Sequence, residues 1–241
     1  MILGMTPHSS PITPYGFFVT GTDTGVGKTL VVCALLYAFA GQGRSVIGMK
    51  PVTAGCEETP EGLRNGDVEQ LIAASTIKAP RHMVNPYALK PPIAPHIAAQ
   101  QAGIEIKPAL IKTAFEQLKK MAEVVVVEGV GGFKVPLNGQ QDSADLAVLF
   151  GLPVILVVGM RLGCLNHTLL TSGAIAGRGL KLAGWVANCI DPRMAAQQEN
   201  LRALEERLGQ PPLGVLAFQP DPRPKELAHE FDIQSLIRPQ K

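Results

Sequence analysis

Gly21-Thr-Asp-Thr-Gly-Val-Gly-Lys-Thr29 sets glycines, a lysine and a hydroxyl side by side, in front of a helical pattern. That combination suits a nucleoside triphosphate. Glycines let the backbone curl until its N–H groups converge on phosphate oxygens, and the following helix adds the positive end of its dipole. Gly25, Val26 and Gly27 supply the curl, Lys28 reaches the β- and γ-phosphates, and the Thr29 hydroxyl suits Mg2+. The spacing departs from the usual G-x-x-x-x-G-K-[ST]: Thr22 stands at the first glycine position and Gly21 lies one residue earlier. A bare Gly-Lys-Ser/Thr arises by chance about once in eight chains of ordinary composition. The strand before it and the helix after it therefore carry the reading against a mere glycine-rich turn.

A magnesium ion on a triphosphate needs oxygen ligands and keeps several waters. Glu128 directly follows Val124-Val-Val-Val127, and Gly129-Val-Gly-Gly132 follows it as a second loop with free N–H groups. A carboxylate at the end of so apolar a strand is costly unless a cation or a donor receives it. Asp67 follows a long loop and has two readings, a metal ligand or a helix N-cap, which Asp favours. Lys50 ends the run Ser45 to Met49. It is either a cation aimed at an anionic substrate or a solvated lysine.

These groups need a scaffold that brings strand ends together. Gly16 to Thr20, Ser45 to Met49, Glu123 to Val127, Pro153 to Val158, Lys181 to Ala187 and Leu213 to Ala217 are apolar runs of strand length. The central ones are nearly continuous in β-branched residues, as strands covered on both faces are. Between them the 3.6-residue spacing predicts helices over Lys28 to Ala40, Asp67 to Ser75, Ile93 to Ala102, Pro108 to Ala122, Cys164 to Ala176 and Met194 to Leu208. Strand–helix alternation of this kind predicts one doubly wound α/β domain with a mainly parallel sheet, spanning residues 16–241. Ligands bind such sheets beyond the carboxyl ends of the strands. Residues 1–15 carry three prolines and two serines and are expected to be a flexible extension.

The chain has 241 residues, is 46% hydrophobic and has a net charge of +2, which suits one large core. It has no Lys/Arg run longer than two, which argues against a nucleic-acid partner. No apolar stretch approaches the roughly 20 residues of a membrane span, and the first residues lack signal-peptide character, so a cytoplasmic location is expected. Cys33, Cys56, Cys164 and Cys189 form no C-x-x-C pair and are expected to be small buried thiols.

The motifs resemble, in order, those of the dethiobiotin synthetase family. They are Val19-Thr-Gly-Thr-Asp-Thr-Gly-Val-Gly-Lys-Thr29, Lys50-Pro-Val52, Thr59-Pro-Glu-Gly-Leu-Arg-Asn-Gly-Asp67, Asn85-Pro-Tyr87 and Pro95-His96. Val127-Glu-Gly-Val-Gly-Gly132, Leu162-Gly-Cys-Leu-Asn-His167 and Ala183-Gly-Trp-Val-Ala-Asn188 complete the set. The resemblance implies P-loop NTPase architecture and an ATP- and magnesium-dependent ligase. In that reaction an amine of 7,8-diaminononanoate captures CO2 as a carbamate, which attacks the γ-phosphate of ATP. The second amine then closes the cyclic urea and expels phosphate.

The resemblance also assigns roles. Lys28 and Lys50 would neutralise phosphate and carbamate, with Thr24 touching one or the other. Thr29, Asp67 and Glu128 would hold magnesium. Gly131 and Gly132 would lie against the diamine, and Asn188 would bind adenine. Gly163 to Asn166 would reach the substrate tail across a two-fold interface, implying a homodimer. One departure stands out: the family's usual Ser/Thr before glycine is Ala54 here, in Lys50-Pro-Val-Thr-Ala-Gly55, and Thr53 is the nearest hydroxyl. Two rivals share parts of this pattern. A partitioning-type regulatory ATPase normally carries an extra lysine early in the loop, and none precedes Lys28. A cobyric-acid-type synthetase normally adds a glutaminase domain, for which 241 residues leave no room.

Overall fold

The structure, a computed structural model, describes residues 15–237. The expected extension, residues 1–15, lies outside it except for Tyr15, which opens the first strand. The chain begins β1 (Tyr15–Gly21), α1 (Lys28–Gly41), β2 (Val46–Met49) and β3 (Val52–Thr53). A hairpin follows, β4 (Glu57–Thr59) and β5 (Gly62–Arg64), and then α2 (Gly66–Ala74), α3 (Arg81–Val84), β6 (Tyr87–Ala88), α4 (Pro95–Gln101) and α5 (Pro108–Leu118). The second half runs β7 (Val124–Glu128), α6 (Ser143–Phe150), β8 (Val154–Gly159), α7 (Cys164–Gly177), β9 (Leu182–Asn188), α8 (Gln197–Leu208) and β10 (Gly214–Leu216). Short helices α9 (Pro224–Leu227) and α10 (Gln234–Ile237) close it.

Six strands form one parallel sheet in the order β10-β9-β8-β1-β7-β2. The four valines of β7 are all fully buried, because helices cover both sides of the sheet. Alternation decides which side each residue faces. Val124 and Val126 join Phe17 and Val19 against α1 and α2, while Val125 and Val127 join Phe18 against α4, α5 and α6. Burying such a side chain contributes about 1.5–3 kcal/mol, so a one-residue slip in β7 would misplace every valine at once. From β1 the chain passes to β2 at one edge, returns to β7 and then crosses β1 to β8, β9 and β10, and the crevice at that reversal lies beyond the carboxyl ends of β1 and β7.

Three expected boundaries move for local reasons. The helix expected from Ile93 begins at Pro95, which occupies the first turn, where its missing N–H costs nothing. The helix expected from Met194 begins at Gln197, after Ala196 takes a left-handed conformation with φ 52. The helix expected from Asp67 is capped by Asn65, whose side chain accepts from the Asp67 N–H. Helix α6 went unexpected, although Asp142 and Asp145 make a reciprocal capping box at its start and Gly151 ends it. All four cysteines are free and buried.

Candidate active site

The loop after β1 is anchored from β8, its neighbour in the sheet. The Thr22 N–H donates to the Val157 carbonyl at 3.0 Å, and the Gly159 N–H donates to the Thr22 hydroxyl at 3.4 Å. The side chain at the unusual position thus ties the loop to β8. Gly25 and Gly27 have φ 73 and 87, the left-handed region that favours glycine. A Cβ on Gly27 would also run into the Asn188 amide, whose Nδ2 donates to the Val26 carbonyl at 2.9 Å. Asn188, at the end of β9, therefore braces the loop from behind.

Lys28 opens α1 with its side chain buried, and its ammonium donates to the Asp23 carbonyl at 3.0 Å. Burial drives its pKa down to about 8; Glu128 opposes that shift and the Lys50 charge adds to it. A lysine held this way is poised to regain charge stabilisation from an arriving anion.

Glu128, only 1% exposed, ends β7. Its Oε1 accepts from the Thr29 hydroxyl at 2.8 Å and from the Lys50 ammonium at 2.7 Å. Lys50 also donates to Asp67 Oδ2. Burial alone would lower the Lys50 pKa, but Glu128 first and Asp67 second outweigh it and hold the ammonium above the ordinary lysine range. For each of these two residues the geometry excludes one alternative. Lys50 is a buried member of an ion triad rather than a solvated lysine. Asp67 is not the N-cap, because Asn65 fills that place and leaves the Asp67 carboxylate facing Lys50.

The second oxygen of Glu128 is buried and has no hydrogen-bond partner. An unpaired carboxylate oxygen inside a protein is expensive, so its surroundings fit a cation. Among the described residues no three His, Cys, Asp or Glu side chains gather as a metal cage. Two carboxylates and one hydroxyl suit magnesium, which takes few protein ligands and fills the rest with water and phosphate oxygens.

These groups line a crevice of about 830 Å³, with Thr24, Gly25, Gly27, Lys28, Thr29, Lys50, Thr53, Ala54, Asp67, Glu128 and Gly131 on its walls. That size suits a small-molecule site. Thr53 touches the crevice, but its hydroxyl lies among the Asn85 side chain at 3.2 Å, the Cys56 sulfur at 3.2 Å and the Tyr87 carbonyl. Local partners thus already hold the hydroxyl nearest to Ala54. Gly132 lies beside the loop, within reach of the Gly21 carbonyl. Gly163 and Asn166 do not line the crevice; they sit exposed at the start of α7. On the far wall, Pro95 and Val130 stand in motifs already named, whereas Pro92 and Val135 carry no signal of a site in the sequence.

A family model described as an AAA domain matches residues 15–225. The chain is 57% identical to the ATP-dependent dethiobiotin synthetase BioD of Nitrosospira multiformis over 221 residues, covering 90% of this chain and 95% of that protein. It is 55% identical to the protein of that name from Aromatoleum aromaticum, covering 89% and 96%. Among solved structures it is similar to the MinD cell division protein of Aquifex aeolicus, with a TM-score of 0.54 and 14% identity over 86% of this chain and 83% of that one. The ParA family ATPase of Chlorobium tepidum gives a TM-score of 0.52 at 11% identity, over 86% and 84%. At such identities these two likenesses speak for the fold alone.

Proposed function

The chain belongs to the ATP-dependent dethiobiotin synthetases, and from that membership we propose which groups of the crevice serve each part of the reaction. It is an ATP-dependent ligase of biotin biosynthesis, and the regulatory and cobyric-acid readings are not favoured. The substrates in this reading are ATP, CO2 and 7,8-diaminononanoate. The observation that carries the assignment of roles is the contact of Lys50 and Thr29 with Glu128 beside the phosphate loop, all within one crevice.

Phosphoryl transfer asks a protein for position and charge neutralisation more than for covalent help. The backbone N–H groups of residues 24–29 and the Lys28 ammonium would receive the triphosphate. Lys50, already drawn to the crevice side of β2, would neutralise the carbamate while its oxygen attacks the γ-phosphorus. Thr24, exposed at the rim, lies where it can donate to either anion. The Gly131 backbone and the wall from Pro92 to Pro95 would pack on the diamine's hydrocarbon chain. Its second amine then attacks the carbamic–phosphoric anhydride, closing the urea and releasing phosphate. Asn188 would meet adenine with whatever hydrogen-bonding capacity its contact to Val26 leaves.

Thr29, Asp67 and Glu128 would hold Mg2+, and the unpartnered Glu128 oxygen supports this choice. When bound, the ion supplies charge neutralisation at the β- and γ-phosphates. A homodimer is supported by two exposed leucines near Asn166: Leu162, in the loop before α7, and Leu170, on α7 itself, are 95% and 65% exposed. That surface, with Gly163, would bring the partner's crevice a binding edge for the substrate tail. A cytoplasmic site of action fits the reading, and no helix among the described residues is long and apolar enough to cross a membrane.

Phosphate release from ATP, measured with bicarbonate, Mg2+ and the diamine and then with each omitted in turn, tests the proposal. Release that depends on all three supports it. Release indifferent to the diamine would return the chain to the switch ATPases.

A further inference from the structure

The phosphate loop contains a carboxylate, Asp23, next to Thr24, the first loop residue on the crevice wall. A negative charge beside an anion site opposes the ligand unless something offsets it. Asp23 has a structural use that explains its presence. Its Oδ1 accepts from the Thr24 N–H at 2.7 Å, and its carbonyl receives the Lys28 ammonium. Its other oxygen, Oδ2, is taken by the guanidinium of Arg161, from the loop that follows β8 and lies 138 residues away in sequence.

We infer that Arg161 is a positioning residue for nucleotide binding, cancelling the charge of Asp23 so that the loop keeps the shape this carboxylate imposes without its repulsion. The inference rests on reading the loop as the ATP site. Arg161 reaches the loop from β8, the strand beside β1, so the guanidinium approaches along the loop's flank. Neither Arg161 nor Asp23 lines the crevice, so the pair acts on the nucleotide through the charge and shape of the loop. The two side chains are 41% and 45% exposed, so water and salt screen the pair and the effect is moderate. One guanidinium nitrogen of Arg161 holds Oδ2 while Oδ1 stays on the Thr24 amide.

Equilibrium binding of ATP with Mg2+ tests this, in the wild type, Arg161→Ala, Arg161→Lys, Asp23→Asn and the double variant Asp23→Asn/Arg161→Ala. Arg161→Ala should raise Kd by up to roughly fivefold, the upper range for removing a half-exposed charge pair. Arg161→Lys should recover part of the loss. In the Asp23→Asn background, where the amide still accepts from Thr24 but carries no charge, removing Arg161 should change Kd by less than about twofold. The Arg161→Ala loss should also shrink at high salt. An unchanged Kd in Arg161→Ala would overturn the inference, as would an equal loss in the Asp23→Asn background. A wild type that fails to bind ATP with Mg2+ would instead overturn the reading of the loop and this inference together.

Discussion

The Lys50 ammonium sits 2.7 Å from Oε1 of Glu128, a carboxylate with 1% of its surface exposed. The end of the apolar β7 strand can therefore carry a charge only because the end of β2, its neighbour in the sheet, delivers the opposite one. Lys50→Met would leave Glu128 with the Thr29 hydroxyl alone. Unfolding free energy should fall by about 3 kcal/mol, the low end for breaking a buried pair, since one donor remains. Urea denaturation measures it, and Mg2+ should restore more stability to the variant than to the wild type. An unshifted urea midpoint would contradict the ion pair's role.

Lys28→Ala should cost about 3–4 kcal/mol in kcat/KM, by analogy with losing one preorganised donor at a developing charge. Steady-state kinetics with ATP varied reads this directly. Near-normal turnover would be incompatible with Lys28 on the phosphates.

The depressed Lys28 pKa makes nucleotide binding sensitive to alkali. In the empty protein this group titrates at about 8, and phosphates raise it again. Above about pH 8, binding must therefore take up a proton, and affinity should decline as pH rises. For folding the sign is reversed. The unfolded chain, with an ordinary lysine, holds more protons between about pH 8 and pH 10.5, so Lys28 alone makes the empty fold more stable as pH rises through that window. Calorimetry at pH 8.5 in two buffers of different ionisation enthalpy checks the uptake. Identical heats would contradict it.

Ala54→Ser should place a hydroxyl on the crevice wall where Thr53 offers none, its own being held by Asn85 and Cys56. The diamine KM should drop by about twofold to tenfold, the worth of one neutral hydrogen bond, with kcat little changed. A KM that stays put or rises would remove Ala54 from the substrate's surroundings.

The phosphate loop, the buried strands and Glu128 were legible in sequence because their signals are local. Four consecutive valines and a following acid can be read without knowing any partner. What escaped depends on distance or on competition. Arg161 reaches Asp23 across 138 residues, and nothing near either residue announces the other. Asn65 and Asp67 are both good caps two positions apart, and only the structure decides that Asn65 takes the helix while Asp67 takes Lys50. Helix α6 was hidden differently: its capping box was there to be read, but Ala144 to Phe150 is too apolar and too short for periodicity to single it out. The direction of the Thr53 hydroxyl follows from Asn85 and Tyr87, residues brought alongside by the short pairing of β3 with β6.

The four buried cysteines give the folded chain an unusual chemical silence. Cys33 lies on the first helix beneath the crevice, where burial, with Glu128 and Asp67 adding to it, pushes its thiol up to about 12. Hardly any of it exists as thiolate at neutral pH, so alkylating reagents find no nucleophile at Cys33 until the first helix opens. Modification of this sulfur becomes a clock for opening of the first helix, and any ligand that tightens the crevice should slow that clock.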